Sequence, residues 1–64
     1  MGFHFMITFL NQETGEKEYE EFFSVKPFAD AWQDALNTAI ERTKEKFAQD
    51  KYWCLLSIAD NNRR

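Results

Sequence analysis

From Phe3 to Leu10 apolar side chains occupy every second position: Phe3, Phe5, Ile7 and Phe9 are odd, and His4, Met6, Thr8 and Leu10 are even. The odd set is a period-2 face suited to a core. The even set is more apolar than the solvent side of a small antiparallel sheet usually is. A second run, residues 16–25, carries Tyr19, Phe23 and Val25 on one parity and Glu18, Glu20, Phe22 and Ser24 on the other. Its more apolar parity is expected to face inward. Between the runs lies Asn11-Gln12-Glu13-Thr14-Gly15, with an asparagine to open a turn and a glycine to take positive φ at its close. The pair reads as a hairpin.

The period then changes. Phe28, Trp32, Ala35, Leu36, Ala39, Ile40, Thr43 and Phe47 recur at spacings of three and four, which predicts an amphipathic helix over 27–49. Pro27 reads as its first residue, where a missing N–H costs nothing. Asp30 and Asp34 lie toward its start and Lys44 and Lys46 toward its end, the order the helix dipole favours. Residues 52–58, Tyr-Trp-Cys-Leu-Leu-Ser-Ile, predict a third strand that is apolar on both parities, and the polar residues 60–64 are expected to fray.

Connection rules complete the architecture. A crossover helix returns the chain parallel to strand two. Placed beside strand one, strand three is antiparallel to it, in the order 2-1-3, with the uncharged strand central. The expected fold is α+β, a ββαβ unit over residues 1–64: a three-stranded antiparallel sheet with one long helix on one face. The uncovered face is expected to carry His4, Met6, Leu10, Phe22, Trp53 and Leu55, with Glu18 and Glu20 at its edge. Cys54, Leu56 and Ile58 go to the helix side, although strand three allows either parity. Contiguous apolar surface of this extent predicts an interface.

Size gives that expectation a motive. With 64 residues, a core seldom supplies more than about 3–5 kcal/mol, so such chains usually rely on a staple. Aromatics at 17% argue against disorder. Cys54 is the only cysteine, so no internal disulfide forms, and His4 and Cys54 are too few for a closed zinc site. Oligomerisation remains, and a homodimer is its simplest form. The single cysteine, an opening Met1-Gly2-Phe3-His4 without a basic n-region, and the lack of an apolar run of about 20 residues suggest a cytoplasmic protein.

Candidate chemistry is sparse. Cys54 needs a base within hydrogen-bond reach to act as a nucleophile, and the expected faces separate it from His4. On an interface, His4 would bring pH sensitivity. Two glycines, Gly2 and Gly15, make no phosphate-binding loop. No catalytic residue, cofactor or metal is expected.

Charge is more informative. Residues 1–41 hold eight acids and two bases, and residues 42–64 three acids and six bases. Glu13, Glu16, Glu18, Glu20 and Glu21 gather on the hairpin. They read first as protection of an edge strand. The sharper alternative is an acidic surface that imitates phosphates and occupies a basic groove on a partner protein. In size, charge and absence of catalytic residues the chain resembles small acidic αβ proteins encoded by phages, anti-CRISPR proteins and inhibitors of DNA-processing enzymes among them. That resemblance implies inhibition through the acidic hairpin. A nucleic-acid-binding module fits less well, because Arg42, Lys44, Lys46 and Lys51 interleave with Glu41, Glu45 and Asp50. The leading expectation is a non-enzymatic protein acting through protein–protein interaction, with itself or with a basic protein, and with neither nucleic acid nor membrane.

Overall fold

The alternating runs become β1 (Phe3–Asn11) and β2 (Lys17–Ser24), the 3.6-period segment becomes α1 (Phe28–Gln49), and the last apolar run becomes β3 (Trp53–Asp60) in a computed structural model that describes residues 2–61. The sheet order is β2-β1-β3, with both neighbours antiparallel to β1. This is the expected ββαβ fold, with the long helix packed on one face of the sheet. No helix among the described residues is long and apolar enough to cross a membrane.

The turn forms for the reasons its residues suggest. Asn11 Oδ1 accepts from the backbone N–H groups of Glu13 at 2.9 Å and Thr14 at 3.2 Å. Gly15 takes φ 79° and donates to the Asn11 carbonyl at 2.7 Å. The Asn11 N–H in turn donates to the Glu16 carbonyl at 2.8 Å. Closing the turn in this way pairs Leu10 with Lys17 and fixes every later pair of the hairpin.

The helix begins at Phe28, one residue later than expected. Pro27 precedes it in an extended conformation, φ −54° and ψ 153°, and its carbonyl accepts the first helical bond, from Ala31 N–H at 2.8 Å. At the other end Asp50 organises the return. Its carboxylate accepts from Tyr52 N–H at 3.0 Å and its carbonyl from Trp53 N–H at 3.1 Å. Strand β3 then runs two residues further than expected. Asp60, assigned to a frayed tail, belongs to the strand, and Asn61 N–H still bonds the His4 carbonyl at 2.9 Å. The rest of that tail, 62–64, lies outside the described residues.

The core consists of Phe5, Ile7 and Phe9 of β1 against Ala31, Ala35 and Ala39 of α1. Alanines at spacings of four let the helix approach the sheet closely, while the large β1 side chains fill the space. Each fully buried Phe or Ile contributes about 1.5–3 kcal/mol relative to exposure. Phe3, Phe22, Trp32 and Ile58 close one half of this core, and Trp53 and Leu55 help close the other. At the helix start Phe3 meets Phe28 edge-on at 5.2 Å, and Phe5 meets Trp32 at 5.0 Å.

Two assignments of side chains to faces are corrected. Phe5 pairs with Phe22, Ile7 with Glu20 and Phe9 with Glu18, so the parity of β2 expected outside faces the helix. Tyr19 and Phe23, expected inside, are 63% and 54% exposed, and Val25 beyond the strand is exposed as well. In β3 Thr8 pairs with Ser57 while Phe9 pairs with Leu55, leaving Leu56 as the extra residue of a bulge. A bulge reverses parity within one strand. Ile58 therefore lies inside as expected, and Trp53 and Leu55 lie inside with it. Cys54, paired with Leu10, and the exposed Leu56 do not.

Candidate interaction surface

The even residues of β1 define the sheet face turned away from the helix. Across the ladders, His4 pairs with Phe23, Met6 with Glu21, Thr8 with Tyr19 and Leu10 with Lys17. On the other side Met6 pairs with Ala59, Thr8 with Ser57 and Leu10 with Cys54. Residues opposite one another in a ladder share a face, so these eleven positions form one surface. The His4 ring lies 4.8 Å from that of Phe23. Among the described strand residues, only Lys17 and Glu21 bring full charges to this face.

Of the six residues expected on this surface, His4, Met6 and Leu10 are there. Phe22, Trp53 and Leu55 instead pack against the core on the helix side. Tyr19, Phe23 and Cys54 take their places. The face stays apolar although half of its expected members change, because β2 and β3 both carry large apolar side chains on both parities.

Two signals in the sequence pointed to the true parity of β2. The Asn11-to-Gly15 turn forces Leu10 opposite Lys17, and the helical stripe through Ala35 and Ala39 continues to Arg42 and Lys46. Those two bases therefore point toward the sheet, where Glu20 and Glu18 meet them. Arg42 Nε donates to Glu20 Oε2 at 2.9 Å, and Lys46 Nζ is paired with Glu18. The Lys46 ammonium also lies 4.6 Å from the Trp53 ring centroid and 5.1 Å from that of Phe9, closing the core at the end of the helix. Hydrogen bonding to Glu20, helped by the charges of Glu20 and Glu45, raises the Arg42 guanidinium above its ordinary value.

These pairs change the acidic surface. Glu18 and Glu20 are held by helix cations on the covered side. Glu13, Glu16 and Glu21 remain exposed, which leaves three of the five carboxylates for an acidic contact. Chemistry at Cys54 meets a different obstacle. Cys54 and His4 share a face, contrary to expectation, but Cys54 sits beside Leu10, six residues along β1 from His4, about 20 Å at 3.4 Å per residue. Among the described residues no group of three or more His, Cys, Asp or Glu side chains is gathered as metal ligands would be.

A second apolar surface was not foreseen. Leu36, Ile40 and Phe47 are exposed on the helix although all belong to its apolar stripe. At 100° per residue they lie about 100–140° around the helix from Ala35, beyond the arc that the sheet covers. No protein-family model matches the chain, and neither a curated protein nor a solved structure matches it.

Proposed function

We propose that this chain is a protein–protein interaction module that associates through the open face of its sheet, most simply as a homodimer, and carries no catalysis of its own. The observation that supports this reading is the exposure of Tyr19 and Phe23 on the face that also presents Met6, Leu10 and Cys54. Large aromatic side chains are costly to leave in water and are enriched in interface cores. A core of six fully buried apolar residues among those described gives a second reason, since small domains gain stability by assembling. A cytoplasmic setting fits the single free thiol at Cys54.

The test is the solution mass, by light scattering behind a sizing column, of the wild type and of Phe23→Glu. The wild type should approach twice 7.7 kDa and Phe23→Glu should fall to the monomer with its far-UV dichroism unchanged. A mass that Phe23→Glu leaves unaltered would exclude this face as the interface.

A further inference from the structure

The open face is self-complementary in charge, and from this we infer that its partner is a second copy of the chain, packed face to face with strands antiparallel across the interface, so that Lys17 of one protomer meets Glu21 of the other. The inference rests on the open-face reading and assigns it a partner and an orientation.

Tyr19, Thr8 and Ser57 are cross-strand neighbours and form the middle of the three rows that span all three strands. To one side, two residues along β1 and β2 and three along the bulged β3, lies the row of Lys17, Leu10 and Cys54. Two residues to the other side lies the row of Glu21, Met6 and Ala59. One end of the face therefore carries a cation beside a long aliphatic side chain, and the other an anion beside a long thioether.

A twofold axis along the middle row reverses strand direction and turns the face over. It places Thr8 above its own copy, Leu10 above Met6, and Lys17 above Glu21, twice. Packed sheets lie about 10 Å apart, a gap that a lysine and a glutamate reaching toward each other can span. A twofold axis along the strands would leave Lys17 without an anion, because β3 presents Cys54, Ser57 and Ala59 to this face. On the middle row Thr8 is 8% exposed and Tyr19 63% exposed, so the axis sets Tyr19 of one protomer against Tyr19 of the other, beside a low centre at Thr8.

The molecule is a slab of 38 × 22 × 12 Å. Its three strands, about 4.8 Å apart and about 3.4 Å per residue, give the open face a footprint of roughly 400 Å², which protruding side chains enlarge toward what a small interface takes from each partner. Rim charges contribute less to affinity than to register, and like charges brought opposite one another are strongly unfavourable. The charge pairs therefore choose the orientation that the apolar centre stabilises.

Lys17→Glu and Glu21→Lys test this, since both positions are exposed and either change leaves the core untouched. Each variant alone should dimerise at least about tenfold more weakly in analytical ultracentrifugation, because each places two like-charged pairs across the interface. An equimolar mixture of the two should recover wild-type affinity, because every pair is then of opposite sign. Phe23→Glu and Ile40→Glu serve as controls. If Phe23→Glu dissociates the dimer while both charge variants dimerise as the wild type does, the face is right and the orientation is wrong. If Ile40→Glu dissociates it and Phe23→Glu does not, both the orientation and the open-face reading fail. A wild type that is monomeric at every concentration also overturns the second copy as partner.

Discussion

Arg42 on the helix donates from Nε to both carboxylate oxygens of Glu20 on β2, at 2.9 and 3.3 Å. This pair and the neighbouring Lys46–Glu18 pair tie the helix to the outer strand on the side away from β3. They turn two hairpin glutamates inward, which is why the acidic hairpin is less available than its composition suggests. Both partners stay partly wet, with side chains 44% and 35% exposed, so the pair contributes little to stability. A double-mutant cycle with Arg42→Met and Glu20→Gln should give a coupling of under about 1 kcal/mol. A coupling above about 2 kcal/mol would mean the pair is more desolvated than its exposure indicates.

The centre of the sheet is where single changes should be decisive. Phe5 is fully buried against Ala31 and Ala35 and meets the Trp32 ring at 5.0 Å, tilted by 41°. Phe5→Ala should cost about 3–5 kcal/mol, comparable to all that a core of this size supplies, and the chain should lose its cooperative thermal transition. Ala35→Leu should also destabilise it, by about 1–3 kcal/mol, since the helix has no room to retreat without losing the sheet. A cooperative melt at the wild-type temperature for Phe5→Ala would contradict the packing.

The fold was readable because each element carries a pattern that no other element satisfies. The period-2 face of β1, the Asn11–Gly15 turn and the 3.6-residue period through Ala35 and Ala39 leave one arrangement of strands and helix. The faces of β2 and β3 were not readable from apolar content, for a physical reason. Phe22 and Phe23 are adjacent, so one aromatic must face each way whichever parity is chosen, and only the ladder set by the turn decides between them. In β3 the bulge at Leu56 breaks the alternation on which any parity argument depends. Three of the six expected interface residues therefore changed sides, while the existence of an apolar open face did not depend on which side they took.

Gly2 and Phe23 approach too closely for a larger residue. A Cβ on Gly2 would lie 2.3 Å from Phe23 Cζ and 2.8 Å from the Ser24 carbonyl oxygen. The ring can swing into solvent, but the carbonyl belongs to the ladder and cannot. Gly2→Val should displace the Phe23 ring from His4 and cost about 1 kcal/mol. The check is the shift of the His4 ring protons by NMR, which the Phe23 ring current dominates at 4.8 Å. Unchanged shifts would mean that the strand end moves instead of the ring.

Lys26 bonds Asp34 at 2.7 Å across the start of the helix, and that hydrogen bond, aided by the charge of Asp34, raises its pKa above the ordinary 10.5. Because the folded value is the higher one, the pair's contribution is complete below the unfolded value and is lost as pH rises through the folded one. Wild type and Lys26→Met should differ in denaturation midpoint by a constant amount from neutral pH to pH 9. The difference should narrow above pH 10.5. A difference that widens in alkali would assign the stabilisation to some other group.

Asn11 has the most concentrated role of any polar side chain in the structure. It is 3% exposed, its Oδ1 closes the turn by accepting from Glu13 and Thr14, and its Nδ2 donates to Asp50 Oδ2 at 3.2 Å. Asp50 bonds the backbone of Tyr52, and Tyr52 accepts from Gln12 N–H at 2.8 Å. The hairpin turn, the helix end and the start of β3 are thus joined in one circuit. Asn11→Ala would remove the acceptor of two part-buried turn donors and leave Asp50 without this partner, at about 1 kcal/mol for each bond lost. Asn11→Asp keeps the acceptor for the turn but sets a second carboxylate against Asp50. The alanine variant should therefore lose both the turn and the link, whereas the aspartate should lose only the link. Hydrogen exchange separates the two: Glu13 and Thr14 amides should open in Asn11→Ala and stay protected in Asn11→Asp, while the Gln12 amide should open in both. Equal protection of the Thr14 amide in all three proteins would show that Gly15 and the backbone bonds hold the turn without the asparagine side chain.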